Sequence, residues 1–322
     1  MSKRKKQLFI CLGAFVILLL SVSVSCSGCL ATAAVVFHSK LKQADMVEEW
    51  SEKDGTLLKN IVYDRDKNLK YDLYLPKDIK ENDSVNAMIF IHGGAWNSGS
   101  KEDMAYACRR YAKAGLITVT LQYSLASENT PQVSFFTMLD DISRCLYHLK
   151  DYTAARKINI NKIALSGYSA GAHLAMLYAF SYREKSPLPI AFVFSQVGPS
   201  IFTKDAWGQD KEKFALALAS AGAGKKITAA DYDSAQSQAI IKSISPALLV
   251  DENTVPGIYA YGGKDTLVRL IHARKLEEAL KKYHIAHEML IYPESGHFLC
   301  EDPQYARRYR ALIREYCEKY FR

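Results

Sequence analysis

The sequence predicts an α/β fold: a mostly parallel, doubly wound sheet of eight strands with helices on both faces. Two observations carry this expectation. Short apolar runs of strand length alternate with longer amphipathic stretches of helical period, the pattern of a sheet built from strand–helix–strand units. In addition, Gly167-Tyr168-Ser169-Ala170-Gly171 sits between the apolar run Ile163-Ala164-Leu165 and the helix-like stretch from Ala172 to Leu177. That places a sharp turn directly between a strand and a helix.

Taken in order, Leu57 to Tyr63 and Leu69 to Leu75 read as two strands joined by the turn Asp66-Lys67-Asn68, an antiparallel hairpin at the sheet edge. Further strands are expected at 87–91, 117–121, 162–166, 190–195, 256–261 and 287–292. Helices alternate with them near 101–114, 134–150, 170–183, 267–283 and 302–320. Residues 199–244, rich in Ala, Lys, Asp and Ser, break the alternation and are the candidate cap insert, since loops beside a rigid sheet carry function. No internal repeat, phosphate loop or nucleotide fingerprint is present.

With 322 residues, 49% hydrophobic and 24% charged, the chain can bury one sizeable core, assigned to residues 57–322. The net charge of +8 draws on Lys3-Arg4-Lys5-Lys6 and on scattered helix-surface cations. No basic stripe interleaved with aromatics exists, which argues against a nucleic-acid partner. The basic cluster precedes an uncharged stretch from Gln7 to Phe37, so residues 1–37 are expected to be a membrane anchor, a cleaved signal or a lipoprotein leader, in that order. Each option puts the main domain outside the cytoplasm, membrane-anchored or secreted. Residues 38–56 read as a polar stalk. Of the seven cysteines, Cys108, Cys145, Cys300 and Cys317 lie beyond the leader. A Cys300–Cys317 disulfide and buried free thiols are both compatible with their spacing.

The pentapeptide around Ser169 has the form of a nucleophile elbow, in which flanking glycines relieve a strained serine. A serine hydroxyl needs a base, and the base needs an orienting acid. Asp265 follows the strand-like run from Val255 to Tyr261, and His297 follows the run from His287 to Tyr292, so both fall at one sheet edge. Asp265 could equally serve as an N-cap. His272, His284 and His287 read as surface histidines in or beside a helix. His92-Gly93-Gly94-Ala95-Trp96 follows the strand Ala87 to Ile91, and Gly93, Gly94, Ala95 and Ala170 are the candidate oxyanion hole. His92 is assigned to bracing this loop. Trp96, Tyr168 and Tyr123 are candidates for shaping the substrate pocket. Neither a metal nor an organic cofactor is implied.

At these residues the chain resembles α/β-hydrolases of the carboxylesterase type, the feruloyl/acetylxylan-esterase-like (BD-FAE-like) and hormone-sensitive-lipase-like groups with HGG-x-W loops. The resemblance runs over roughly residues 57 to 320. Tyr123-Ser124-Leu125 resembles the family's "YRL" element with serine in place of arginine, Asp140-Asp141 its helix acid, and Ser245-Pro246 its "SP". The GGA loop and the acid in Gly262-Gly263-Lys264-Asp265 depart from the hormone-sensitive-lipase pattern and favour the esterase and formamidase side. The resemblance implies a serine carboxylesterase acting on short-chain acyl esters, carbohydrate or aryl esters included, through an acyl-enzyme on Ser169. An arylformamidase- or aminoacyl-peptidase-like amide hydrolase uses the same parts, and a silent hydrolase fold used for binding is a rival of another class.

Overall fold

The computed structural model describes residues 49–322 apart from 128, 131 and 209–211. The leader assigned to residues 1–37 and most of the stalk therefore lie outside the described residues. In chain order the elements are β1 (Gly55–Asp64), β2 (Leu69–Pro76), β3 (Ser84–Ile91), α1 (Ala105–Lys113), β4 (Ile117–Leu121), α2 (Phe135–Ala154), β5 (Asn159–Tyr168) and α3 (Ala170–Ser181). They continue with β6 (Ile190–Gln196), α4 (Glu212–Ala223), α5 (Ala235–Ser243), α6 (Pro246–Leu249), β7 (Gly257–Gly262), α7 (Leu270–Lys282), β8 (His287–Tyr292) and α8 (Pro303–Tyr320).

The eight strands form one sheet in the order β1-β2-β4-β3-β5-β6-β7-β8. β2 is antiparallel to both β1 and β4, and every other pair is parallel. This is the α/β-hydrolase architecture, reached because the central strands are apolar on both faces and helices must cover each side. Alternation along β3 divides the core. Ile89 and Ile91 face α2, α3 and α7, whereas Met88 and Phe90 face α1 and α8.

Two helices show how the chain secures these layers. α2 starts at Ser134, which caps the N–H of Thr137, and buries Met138, Leu139, Ile142, Cys145, Leu146 and Leu149 along one stripe. α3 is buried from Ala170 through Phe180, so it is apolar on every side and runs through the interior.

Two boundaries differ from the sequence reading. The domain starts before residue 57: Trp50 packs edge-on against Tyr74 at 5.4 Å, and Lys113 Nζ lies 3.7 Å from Asp54. The end of the polar stretch therefore belongs to the core. α7 begins at Leu270, not 267, because the preceding residues form a turn around the Asp265 carboxylate. Residues 199–244 hold α4 and α5, and α4 packs tightly on α2: a Cβ on Gly222 would lie 2.1 Å from the Phe135 ring.

Parallel register brings the functional segments to one edge. Ile91 pairs with Gly167, Tyr168 with Gln196, and Gly262 with Tyr292. Thus His92, Ser169, Asp265 and His297 all lie just past carboxyl ends of neighbouring or near-neighbouring strands, where open α/β sheets bind ligands.

Candidate active site

Ser169 sits at φ 53°, ψ −118°, a conformation an L-residue holds only when its surroundings enforce it. Gln196 O accepts its N–H at 2.9 Å, and its own carbonyl accepts the His173 N–H at 3.0 Å to open α3. The flanking glycines are obligatory by space. A Cβ on Gly167 would lie 2.3 Å from the Gly171 backbone, and one on Gly171 would lie 2.1 Å from the Ile91 carbonyl oxygen.

The structure brings Ser169, Asp265 and His297 together. His297 Nε2 lies 3.0 Å from Ser169 Oγ, and Nδ1 lies 2.7 Å from Asp265 Oδ2. A carboxylate only accepts, so Nδ1 carries the ring proton and Nε2 is left to accept from the serine hydroxyl. The other oxygen, Asp265 Oδ1, accepts the N–H groups of Leu267 and Val268 at 2.8 and 2.9 Å. Asp265 is therefore not the N-cap of α7, a position held by Arg269; it closes the turn ahead of that helix and holds the imidazole.

The loop bearing His297 is fixed by residues the sequence reading missed. Asp302, 2% exposed, accepts from Glu294 N, Ser295 N and Ser295 Oγ at 3.0, 2.9 and 2.7 Å. Ser295 Oγ in turn accepts the Glu301 N–H at 3.1 Å. Asp302 directly before Pro303 is a helix-start signal, and that was the only mark it carried. The hydroxyl of Tyr168 donates to the His297 carbonyl, and its ring meets the imidazole edge-on at 5.6 Å.

The loop after β3 lies against this elbow. A Cβ on Gly93 would fall 2.9 Å from Tyr168 O and 3.5 Å from Ser169 Cβ, so only glycine allows the approach. Gly94, Ala95 and Trp96 have φ of 106°, 48° and 62°, a left-handed run closed where Asn97 N, Ser98 N and Ser98 Oγ donate to Gly94 O. The N–H groups of Gly94 and Ala95 donate to no acceptor among the described residues. Ala170 is the first residue of α3, so its N–H has no preceding turn to bond. His92 Nδ1 donates to the Gly93 carbonyl at 2.7 Å and braces the loop.

Two pocket assignments need correction. Tyr123 is fully buried: it stacks on His92 at 4.3 Å and donates to the His92 carbonyl at 3.1 Å, so it supports the loop from below and cannot touch a ligand. Trp96 is only 5% exposed, with its ring against Phe135 at 4.8 Å and its Nε1 donating to His173 Nδ1 at 3.2 Å. His173 in turn donates its Nε2–H to Ile244 O at 3.0 Å. Of the three pocket candidates, Tyr168 alone is partly exposed beside Ser169.

His272, read as a surface residue, is also corrected. It is fully buried, its Nδ1 accepting the N–H groups of Ser200 and Ile201 at 3.2 and 3.4 Å. Burial depresses its pKa to about 3 and that of His173 to about 4, so both rings are neutral scaffolding. Cys108, Cys145, Cys300 and Cys317 are all free, which removes the Cys300–Cys317 disulfide, and burial pushes the Cys317 thiol up to about 12. Among the described residues, no group of three His, Cys, Asp or Glu is placed to hold a metal.

With this geometry in hand, comparison with known proteins defines the class. The BD-FAE family model matches residues 71–280, more than half of the chain, and the chain belongs to that family. A probable isoprenylcysteine alpha-carbonyl methylesterase of Oryza sativa subsp. japonica is 34% identical over 119 residues, which is 37% of this chain and 27% of the rice protein. The kynurenine formamidase of Salmo salar is 29% identical over 136 residues, 42% of this chain and 42% of that protein. The chain therefore spans well under half the length of these curated relatives. In structure, esterase B from Lactobacillus rhamnosis superposes with TM-score 0.68 at 19% identity, covering 92% of this chain and 93% of that one. A truncated carbohydrate esterase from gut microbiota gives TM-score 0.66 at 19% identity over 85% of this chain and all of its own. At such identities the structural likeness carries the fold.

Proposed function

We propose that the protein is a serine carboxylesterase that hydrolyses short-chain acyl esters through an acyl-enzyme on Ser169. The observation that carries this reading is His297 bridging Ser169 Oγ and Asp265 through its two ring nitrogens, 3.0 and 2.7 Å away. In this mechanism His297 Nε2 takes the serine proton as Oγ attacks the ester carbonyl. Asp265 steadies the imidazolium that forms. The N–H groups of Gly94, Ala95 and Ala170 receive the oxyanion, each worth about 3 kcal/mol in the transition state. His297 then protonates the departing alcohol, and a water activated by the same nitrogen releases the acid. The esterase names of relatives on both sequence and structure support this reading.

A second reading has one observation behind it. The salmon relative is a kynurenine formamidase, and an amide-hydrolysing enzyme uses the same serine, base and oxyanion donors. Steady-state kcat/KM on p-nitrophenyl acetate against N-formylaniline separates the two. An ester preference supports the proposal, and a preference for the formanilide replaces it with the amide reading.

We also propose that residues 1–37 hold the domain at a membrane, on the strength of Lys3–Lys6 followed by the uncharged stretch to Phe37. Among the described residues no helix is long and apolar enough to cross a membrane, so this rests on the leader alone. Alkaline carbonate extraction of expressing cells should leave the full chain in the membrane fraction; release into the supernatant contradicts it.

A further inference from the structure

Tyr168 meets three parts of the site at once. It ends β5, where it pairs with Gln196, and the next residue is pinned to the same strand as Ser169 N donates to Gln196 O at 2.9 Å. Its root carries the oxyanion loop: a Cβ on Gly93 would fall 2.9 Å from Tyr168 O and 3.4 Å from Tyr168 Cδ1. Its far end reaches the base. The hydroxyl donates to the His297 carbonyl, and the ring stands edge-on to the imidazole with 5.6 Å between centroids.

The loop around His297 leaves work for that bond. Asp302 accepts from Glu294 N and Ser295 N, and Lys264 N donates to Ser295 O at 2.9 Å, all upstream of the base. Leu299 N closes the following turn on Gly296 O at 3.3 Å. None of these bonds holds the His297 peptide itself, whereas the Tyr168 hydroxyl does. Asp265 and Ser169 engage only the ring, at 2.7 and 3.0 Å. A ring hinged on a peptide that shifts is a misplaced base, and an error of about 1 Å can cost about two orders of magnitude in rate.

From sequence, Tyr168 is a pocket candidate, but its hydroxyl is already committed to a carbonyl that can only accept. Burial raises the pKa of the phenol, so it keeps its proton and remains the donor. Phenylalanine would supply the same ring, and the hydroxyl is what tyrosine adds. We propose that Tyr168 is a positioning residue: its hydrogen bond to the His297 carbonyl keeps the imidazole in reach of Ser169 Oγ and sets the spacing of nucleophile, base and oxyanion loop. Tyr168 acts through His297 and touches no reacting atom. This inference rests on the proposed serine mechanism.

The test is Tyr168→Phe in the full chain, with p-nitrophenyl acetate and ethyl acetate as substrates. The variant keeps the ring and loses one neutral hydrogen bond, so its melting temperature should fall by no more than about 2–4 °C. On p-nitrophenyl acetate, kcat should fall about tenfold or more while KM stays within about twofold. p-Nitrophenolate departs without a proton, whereas the ethanol oxygen needs one from His297. The loss in kcat/KM on ethyl acetate should therefore be larger again by about tenfold. A raised KM at unaltered kcat would make Tyr168 a pocket contact, and unaltered kinetics would leave the bond without a role. Equal losses on the two esters, or a variant that does not fold, would make its role purely structural. Each of these results overturns the proposal. Ser169→Ala, run alongside, tests the mechanism beneath it: near wild-type turnover there removes the serine mechanism, and an inactive Ser169→Ala leaves Tyr168→Phe to decide the positioning role alone.

Discussion

Asp265 shows how much one carboxylate can be asked to do. Its Oδ1 closes a turn by accepting two N–H groups, and its Oδ2 fixes the tautomer of His297. Replacing it by Asn separates these tasks. The amide oxygen can still accept from Leu267 and Val268, while the NH₂ then faces Nδ1 and forces that nitrogen to be the acceptor. Nε2 is left protonated and unable to take the serine proton. Asp265→Asn should therefore keep the fold and lower kcat by on the order of 10⁴. Near wild-type turnover with unchanged circular dichroism would show that Asp265 only caps the turn.

At the scale of elements, the decisive contact is between the end of β3 and the start of α3. Glycine at 93 and at 171 lets two backbones approach until the proposed oxyanion donors stand beside Ser169. Gly171→Ala would drive a methyl carbon to 2.1 Å from the Ile91 carbonyl oxygen, and the obstacle is backbone, which cannot swing aside. We expect a loss of about 3 kcal/mol in stability and most of the activity, read from urea denaturation and from kcat. A variant with unaltered midpoint and rate would mean the two elements are not held as described. Asp141 ties another junction. It is fully buried, bonds Lys67 Nζ at 2.6 Å and accepts the Ser124 N–H at 2.9 Å. With serine where the family's "YRL" element has arginine, the cation beside this acid comes from the β1–β2 turn.

For the whole molecule, buried histidines set the response to acid. In the unfolded chain His173 and His272 titrate near 6.5, but in the fold burial holds them neutral down to about 4 and about 3. Between those limits the unfolded state binds more protons, so stability falls as pH drops, by about 1.4 kcal/mol per pH unit for each ring. Carboxylates with lowered pKa, such as Asp64 and Asp251, lose their contribution only below about 3.8. The urea midpoint should thus already decline between pH 6.5 and 4.5. A flat midpoint across that window would contradict the neutral burial of these rings.

Strand ends are legible from apolar runs, and chemistry sits at strand ends, so Ser169, Asp265 and His297 could be chosen from their positions alone. Inward or outward direction is less legible. Tyr123 follows a strand end as a pocket residue would, yet turns beneath the loop, and His272 lies on an amphipathic helix whose phase only packing fixes. Asp302 and Ser295 act across a loop through hydrogen bonds that no local pattern announces. The free cysteines follow from packing as well, since spacing along the chain says nothing of distance between α8 and the loop before it.

The most direct measurement is covalent labelling of the full chain with a fluorophosphonate, followed by peptide mapping. Stoichiometric phosphonylation is expected on the peptide containing Gly167-Tyr168-Ser169-Ala170-Gly171, with the adduct on Ser169 and none formed after His297→Ala. Ester turnover that survives with Ser169 unlabelled, or an adduct carried by another residue, would contradict it.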